Sequence, residues 1–200
     1  MKKSIFVIIA ILAISEHAAA LTLTVESGKV TGATGVNING TIYNLSLTAN
    51  GGCADLYFGC NNDSDFAPLT ESDFAATQNA LASVLQSAFD SGFVANEIAG
   101  CSDMTNCYIF TPTHAVEISS RIALAGALLD VTGVTLQLLG YGFGENVNFS
   151  NFANTTWGIF EVAAVPLPAA VWLFVSALGG LFGVRKLKAR QLAPGSAVSP

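Results

Sequence analysis

Apolar and polar positions follow several distinct rhythms along this chain. At the start, Lys2 and Lys3 precede an unbroken apolar run from Ile5 to Ile14, and Ala18, Ala19 and Ala20 follow. The run is too short to cross a bilayer as a helix, and the order basic, apolar, small predicts an export leader over 1–20. Ala18 and Ala20 supply the small positions of a cleavage site, so the exported chain would begin at Leu21. Glu16 and His17 are unusual so close to the cut; an uncleaved N-terminal anchor is the competing reading.

Next comes alternation. Leu21, Leu23 and Val25 interleave with Thr22, Thr24 and Glu26, the period of a half-buried strand. Lys29 to Thr31 and Gly35 to Ile38 read as short strands broken by glycines. Asn39-Gly40 then predicts a hairpin turn into Thr41 to Thr48, because both residues accept positive φ. Asn50-Gly51-Gly52 closes this meander.

From Thr70 to Ser91 the period lengthens to that of a helix. Phe74, Leu81, Leu85, Ala88 and Phe89 share one face, while Gln78, Asn79, Ser83 and Gln86 fall on the other. Thr70 with Asp73 offers a capping box, and Gly92 a C-terminal stop. Strand patterns resume over Cys107 to Thr111. Ala115 to Val131 reads as one long bent strand or a strand plus turn, with Gly126 marking the ambiguity. Val134 to Leu139 and Thr155 to Ala164 read as strands, and Gly140 to Asn154 as a loop. The body over 21–164 is therefore expected to be α+β: an antiparallel sheet with one main amphipathic helix.

The last rhythm is a second apolar run. Val165-Pro166-Leu167-Pro168-Ala169 opens it, no charge interrupts Ala169 to Val184, and Arg185, Lys186, Lys188 and Arg190 end it. Nineteen residues from Pro166 to Val184 approach the length that spans a bilayer, and prolines are tolerated in a first helical turn. Trp172 suits an interface, and the basic cluster predicts a cytoplasmic tail with the body outside. A buried helix would explain the apolar run but not the basic stop. Residues 191–200 are expected to be a short cytoplasmic tail.

Charge and cysteine content narrow the class. Within 21–164, thirteen acidic residues face only Lys29 and Arg121, a formal charge of −11 against −6 for the whole chain. No basic stripe exists for nucleic acid, and anionic headgroups are poor partners for such a body. Cys53, Cys60, Cys101 and Cys107 form an even set, which in an exported chain predicts two disulfides. Three connectivities are possible; the close pairs Cys53–Cys60 and Cys101–Cys107 are favoured. Their spacings do not match zinc knuckles, and no metal or cofactor is expected.

With those residues in place, a resemblance can be stated. The Val165–Ala169 opening, Trp172, Phe174, Gly179, Gly180 and the Arg185–Arg190 cluster resemble the PEP-CTERM sorting signals, in the variant that begins VPLPA. The resemblance implies export by a Gram-negative bacterium that makes extracellular polysaccharide. It also implies processing near the prolines by exosortase, a membrane cysteine protease-transpeptidase. The ten residues after Arg190 depart from the usual pattern, which ends at the basic cluster. Gly32, Gly35, Val36, Asn39, Gly40, Thr41, Tyr43, Cys53, Phe58, Cys60, Asp63 and Phe66 are similar to a recurring body of the same proteins. That body carries no assigned activity, so the likeness adds kinship and no mechanism.

Candidate chemistry is thin. His114 is the only histidine of the body; a triad would need Asp103, Glu117 or Asp130 as its orienting acid, and no G-x-S-x-G elbow is present. Asn61, Asp63 and Asp65 alternate like the front of a calcium loop, but Phe66 and Ser72 stand where glycine and glutamate belong. Tyr141, Phe143, Phe149, Phe152 and Trp157 could form a sugar-stacking face or close the end of the sheet. Asn39, Asn44, Asn62, Asn148 and Asn154 begin N-x-Ser/Thr triplets that are accidental in a bacterium. Gly179 and Gly183 could pair membrane helices or serve the protease.

The expectation is an exported surface or matrix-associated protein without enzymatic activity, held in the membrane by 166–184. Its partners would be the exosortase-like protease and extracellular polysaccharide. A saccharide-binding module or saccharide-active enzyme, and an unprocessed single-pass membrane protein, are the alternatives.

Overall fold

The computed structural model describes residues 20–49, 51–57, 59–116, 121–137, 143–144 and 146–164. The chain divides into two units, Met1–Ala163 and Ala164–Pro200. The predicted leader other than Ala20, the sorting motif Val165–Ala169, the membrane run and the basic stop lie outside the described residues. Among the described residues no helix is long and apolar enough to cross a membrane.

Among the described residues of the first unit there are eight strands and one principal helix. They are β1 (Thr22–Glu26), β2 (Lys29–Ile38), β3 (Thr41–Thr48), the one-turn α1 (Cys53–Leu56), α2 (Phe74–Asp90), β4 (Asn106–Val116), β5 (Arg121–Asp130), β6 (Gly133–Gln137), β7 (Phe143–Gly144) and β8 (Thr155–Val162). They join in one sheet of order β1-β2-β3-β8-β4-β5-β6, with β7 also on β5. All pairings are antiparallel except β4 with β8, which is parallel. The expected α+β architecture is present, with that one exception to its antiparallel character.

The Asn39-Gly40 turn forms as its sequence demands, with φ of 50° and 86°. What reads as two short strands is the single β2. Its glycines do not end the strand; they bend it, with a register shift between Ala33 and Val36 and Gly35 at φ 73°. A side chain at Gly32 would meet the Leu45 carbonyl, so the crossing there requires glycine.

α2 starts four residues later than expected, because Glu71–Asp73 forms a 3₁₀ turn first. Thr70 N–H and its hydroxyl both donate to Asp73 Oδ2, at 3.1 and 2.8 Å. At the other end Phe93 N–H reaches Ala88 O and Gly92 N–H reaches Phe89 O, a Schellman closure around Gly92 at φ 88°. Leu81, Leu85 and Ala88 are buried as expected, together with Ala80, Val84 and Thr77. Two assignments of the helix faces are corrected. Gln78 is buried, and Phe89, in the last turn, is 38% exposed.

The sheet curls around α2, which touches β5, β6 and β4 on one side and β2 and β1 on the other. This concave side holds the larger core, including Val30, Leu45, Ile109, Leu129 and Phe160. The convex side of β4, β5 and β8 holds a second core of Phe110, Ile122, Leu124 and Trp157. The Cys53–Phe66 segment and Phe149 cover it.

The segment Ala115 to Val131 resolves differently from its sequence pattern. Ala115 and Val116 end β4, and β5 begins at Arg121. Gly126 lies in the middle of β5, where a Cβ would stand 2.6 Å from two atoms of the Phe110 ring. It is a packing glycine and not a turn. Pro112 stands inside β4, where proline removes a ladder donor. The parallel ladder with β8 has register Tyr108↔Thr155 to Phe110↔Trp157, and the β4–β5 register shifts between Pro112 and His114.

Both ends of the described body lie toward one end of the sheet. β8 runs toward the Asn39-Gly40 turn, with Val162 opposite Tyr43 and Ala163 N–H on Ile42 O. The opposite, distal end is formed by the starts of β4, β6 and β8 and the close of β5.

Candidate functional surfaces

The four cysteines form the two local bridges favoured from spacing, Cys53–Cys60 and Cys101–Cys107. All four are buried. The first bridge closes the cover of the convex core; the second closes the loop that enters β4. Paired thiols of this kind are consistent with an oxidising compartment.

His114 is part of β4, opposite Ala123. Its Nδ1 meets Thr113 Oγ1 at 3.1 Å, and its ring stands edge-on to Phe74. Asp130 and Asp103 cannot orient it. Asn106, at the far end of β4, is the residue paired with Asp130, so eight strand positions separate these acids from His114. Glu117 lies outside the described residues. The carboxylate that reaches this region is Asp63, and its Oδ1 accepts the Ala115 N–H at 2.8 Å.

The calcium-loop reading fails for the same reason. Asp65 Oδ2 accepts the Asn61 and Asn62 N–H groups at 3.1 and 3.0 Å, which hold its carboxyl below the usual range. Asp65 therefore fixes its own turn and Asp63 ties that turn to β4, both with oxygens directed to backbone donors. Among the described residues no group of three or more His, Cys, Asp or Glu side chains is placed to hold a metal.

The aromatic residues close the convex core instead of forming an open sugar platform. Trp157 is fully buried and Phe149 nearly so, stacked with centroids 4.2 Å apart. Tyr57 packs edge-on to Trp157, and Phe110 tilts against Phe149. Phe152 is the exposed member, 54% accessible and edge-on to Phe149. Tyr141 and the Phe143 side chain lie outside the described set. Asparagines of the N-x-Ser/Thr triplets act in local structure: Asn39 donates to Asp73 Oδ1 at 2.7 Å, Asn148 Oδ1 takes Ser150 N–H, and Asn154 donates to Asn106 Oδ1.

A shallow cleft of about 440 Å³ opens between β2 and α2, with Leu21, Val36, Ala76 and Ala80 on its apolar side and Asn37, Asn79 and Ser83 on its polar side. None of its lining residues is titratable, so it offers no acid–base chemistry.

The distal end carries a construction that the sequence reading did not single out. Asp103-Met104-Thr105 and Asp130-Val131-Thr132 repeat one pattern, acid, apolar, threonine. In each, the aspartate Oδ1 accepts both the backbone N–H and the hydroxyl of the threonine two residues on, at 2.5–2.7 Å. These bonds, from the hydroxyl first and the N–H second, hold both carboxyls below their ordinary range. The turns are neighbours, because Asn106 pairs with Asp130. A third loop joins the first of them: the N–H groups of Ser102 and Asp103 donate to Ala153 O at 2.6 and 3.1 Å. Met104, Val131 and Phe152 project from the three loops, 69%, 73% and 54% exposed. The repeated Asp-apolar-Thr triplet was the available signal; its spacing of 27 residues hides the fact that the two copies meet.

No family model, no curated protein and no solved structure matches this chain.

Proposed function

We propose that the chain is an exported, disulfide-stapled surface or matrix-associated protein of a Gram-negative bacterium, delivered by a leader over 1–20 and a sorting signal over 165–190. Its role is structural or adhesive. The observation that carries this reading is the pairing of all four cysteines in a body bracketed by a leader pattern and a VPLPA-type tail. Bridges of this sort persist outside the cytoplasm. The arrangement of the candidate residues supports a role without turnover: among the described residues neither Asp103 nor Asp130 reaches His114, and Asp63 and Asp65 are committed to backbone donors. Pro166–Val184 is the first anchor, and cleavage near the prolines releases the body or transfers it outward.

The test is intact-mass analysis of the protein from envelope and medium, in hosts with and without exosortase. The expected mature species starts at Leu21 and lacks Arg185–Pro200 only when the protease is present. Retention of Arg185–Pro200 in both hosts would establish an unprocessed single-pass protein. Turnover of the host polysaccharide by the purified protein, abolished by one carboxylate substitution, would establish an enzyme.

A further inference from the structure

We infer that the distal end is a docking tip for a cationic protein segment that presents an apolar side chain among its lysines or arginines. The inference concerns the body alone and stands whether or not the tail is processed.

Exposure and order coincide at this tip. Met104 and Val131 are 69% and 73% exposed, yet each sits on a turn locked by its own aspartate. The Cys101–Cys107 bridge closes the loop that carries Met104, and Ala153 O ties that loop to the one carrying Phe152. Phe152 rests edge-on against Phe149, which stacks on the buried Trp157. The three apolar groups are thus held out on a rigid base, and docking them costs little ordering entropy. Most of the other exposed large hydrophobics, Val25, Phe89 and Val94, lie toward this same end; Val162 is at the other.

Charge selects the occupant. Asp103 and Asp130 flank the apolar groups, and donors of its own turn hold each in place as a carboxylate. Glu26, Asp90 and Glu97 add to the same end, while Lys29, the one cation there among the described residues, points its ammonium at Cys101 O. A second copy would bring these carboxylates against their own kind, and anionic lipid would be repelled for the same reason. A neutral bilayer or glycan would leave the carboxylates without a counter-charge. A cationic amphipathic segment satisfies both features: its apolar residue covers Met104, Val131 and Phe152, and its cations meet Asp103 and Asp130.

The probe is a fluorescein-labelled peptide of alternating leucine and lysine, titrated by anisotropy against the full-length chain in a neutral detergent. Binding is expected, together with its loss when leucine is replaced by glycine or lysine by glutamate. Met104→Ser/Val131→Ser and Asp103→Asn/Asp130→Asn should each weaken it about tenfold, the effect of about 1.4 kcal/mol. Asparagine keeps an oxygen acceptor for each threonine, so the turns survive, and unchanged circular dichroism would verify that. The control pair Glu71→Gln/Glu161→Gln, at the Asn39-Gly40 end, should leave binding within twofold. Equal weakening by the control pair would overturn the inference in favour of diffuse charge. So would binding that ignores Met104→Ser/Val131→Ser. Self-association in sedimentation velocity that disappears in that same variant would assign the tip to a second copy and overturn it likewise.

Discussion

Pro112 leaves a gap in the β4–β8 ladder, and two hydroxyl groups fill it. Tyr108 N–H donates to Asn154 O at 2.7 Å, and the parallel register steps two residues at a time. Two further steps bring position 112 to the Gly158 carbonyl, where proline has no N–H to give. Tyr57 OH donates to Gly158 O at 2.8 Å, from the convex cover, and Thr111 Oγ1 does so at 2.6 Å. Both are buried, and burial pushes the Tyr57 phenol well above its ordinary pKa, so it remains a donor. Tyr57→Phe keeps the ring against Phe66 and Trp157 and deletes only the hydroxyl. Since Thr111 still serves the carbonyl, the cost should be about 1 kcal/mol, and Thr111→Val should cost about as much. The double variant orphans a buried carbonyl, which adds about 1–3 kcal/mol beyond the sum. Urea unfolding of the four proteins, disulfides intact, measures this coupling. Additivity within about 0.5 kcal/mol would refute the idea that these hydroxyls substitute for the missing proline donor.

Other predictions follow from single contacts. Gly126→Val should cost about 1–3 kcal/mol, because its Cβ would stand 2.6 Å from the buried Phe110 ring; Gly144→Ala, with nothing within 4 Å, should be near neutral in the same melts. Cys101→Ser/Cys107→Ser and Cys53→Ser/Cys60→Ser should each lower stability by about 2 kcal/mol, as expected for loops closed across 6 and 7 residues. Asp65, Asp103 and Asp130 have lowered folded pKa values from their turn hydrogen bonds, so below about pH 4 the unfolded chain binds more protons than the folded one. Their contribution is complete above the unfolded pKa and is lost as pH falls through the folded values. For Asp73, partial burial alone would raise the pKa, but hydrogen bonds from Thr70 and Asn39 outweigh it, and the sign is the same. Replacing all four by asparagine should flatten the acid limb of a stability–pH curve; an unchanged limb would refute this assignment.

Local rules account for the elements of this fold. Alternation at Leu21–Glu26, the Asn39-Gly40 pair, and the Thr70–Asp73 and Gly92 signals of α2 each act over a few residues, so a linear reading captures them. The two disulfides belong with these, because short loops make the local pairing the cheap one. What tertiary structure decided is everything that depends on distant neighbours. Gly126 is silent in sequence because the Phe110 ring that requires it arrives from another strand. Pro112 can stay inside β4 because Tyr57, far away in sequence, supplies a replacement donor. Phe149 and Trp157 look like candidates for a binding face, yet packing beneath the Cys53–Phe66 cover turns them inward. The distal tip shows the same division: each Asp-apolar-Thr turn is a local event legible in three residues. That the two turns stand side by side, with the loop of Phe152 tied to the first of them, follows only from the register of β4 on β5 and from Ala153.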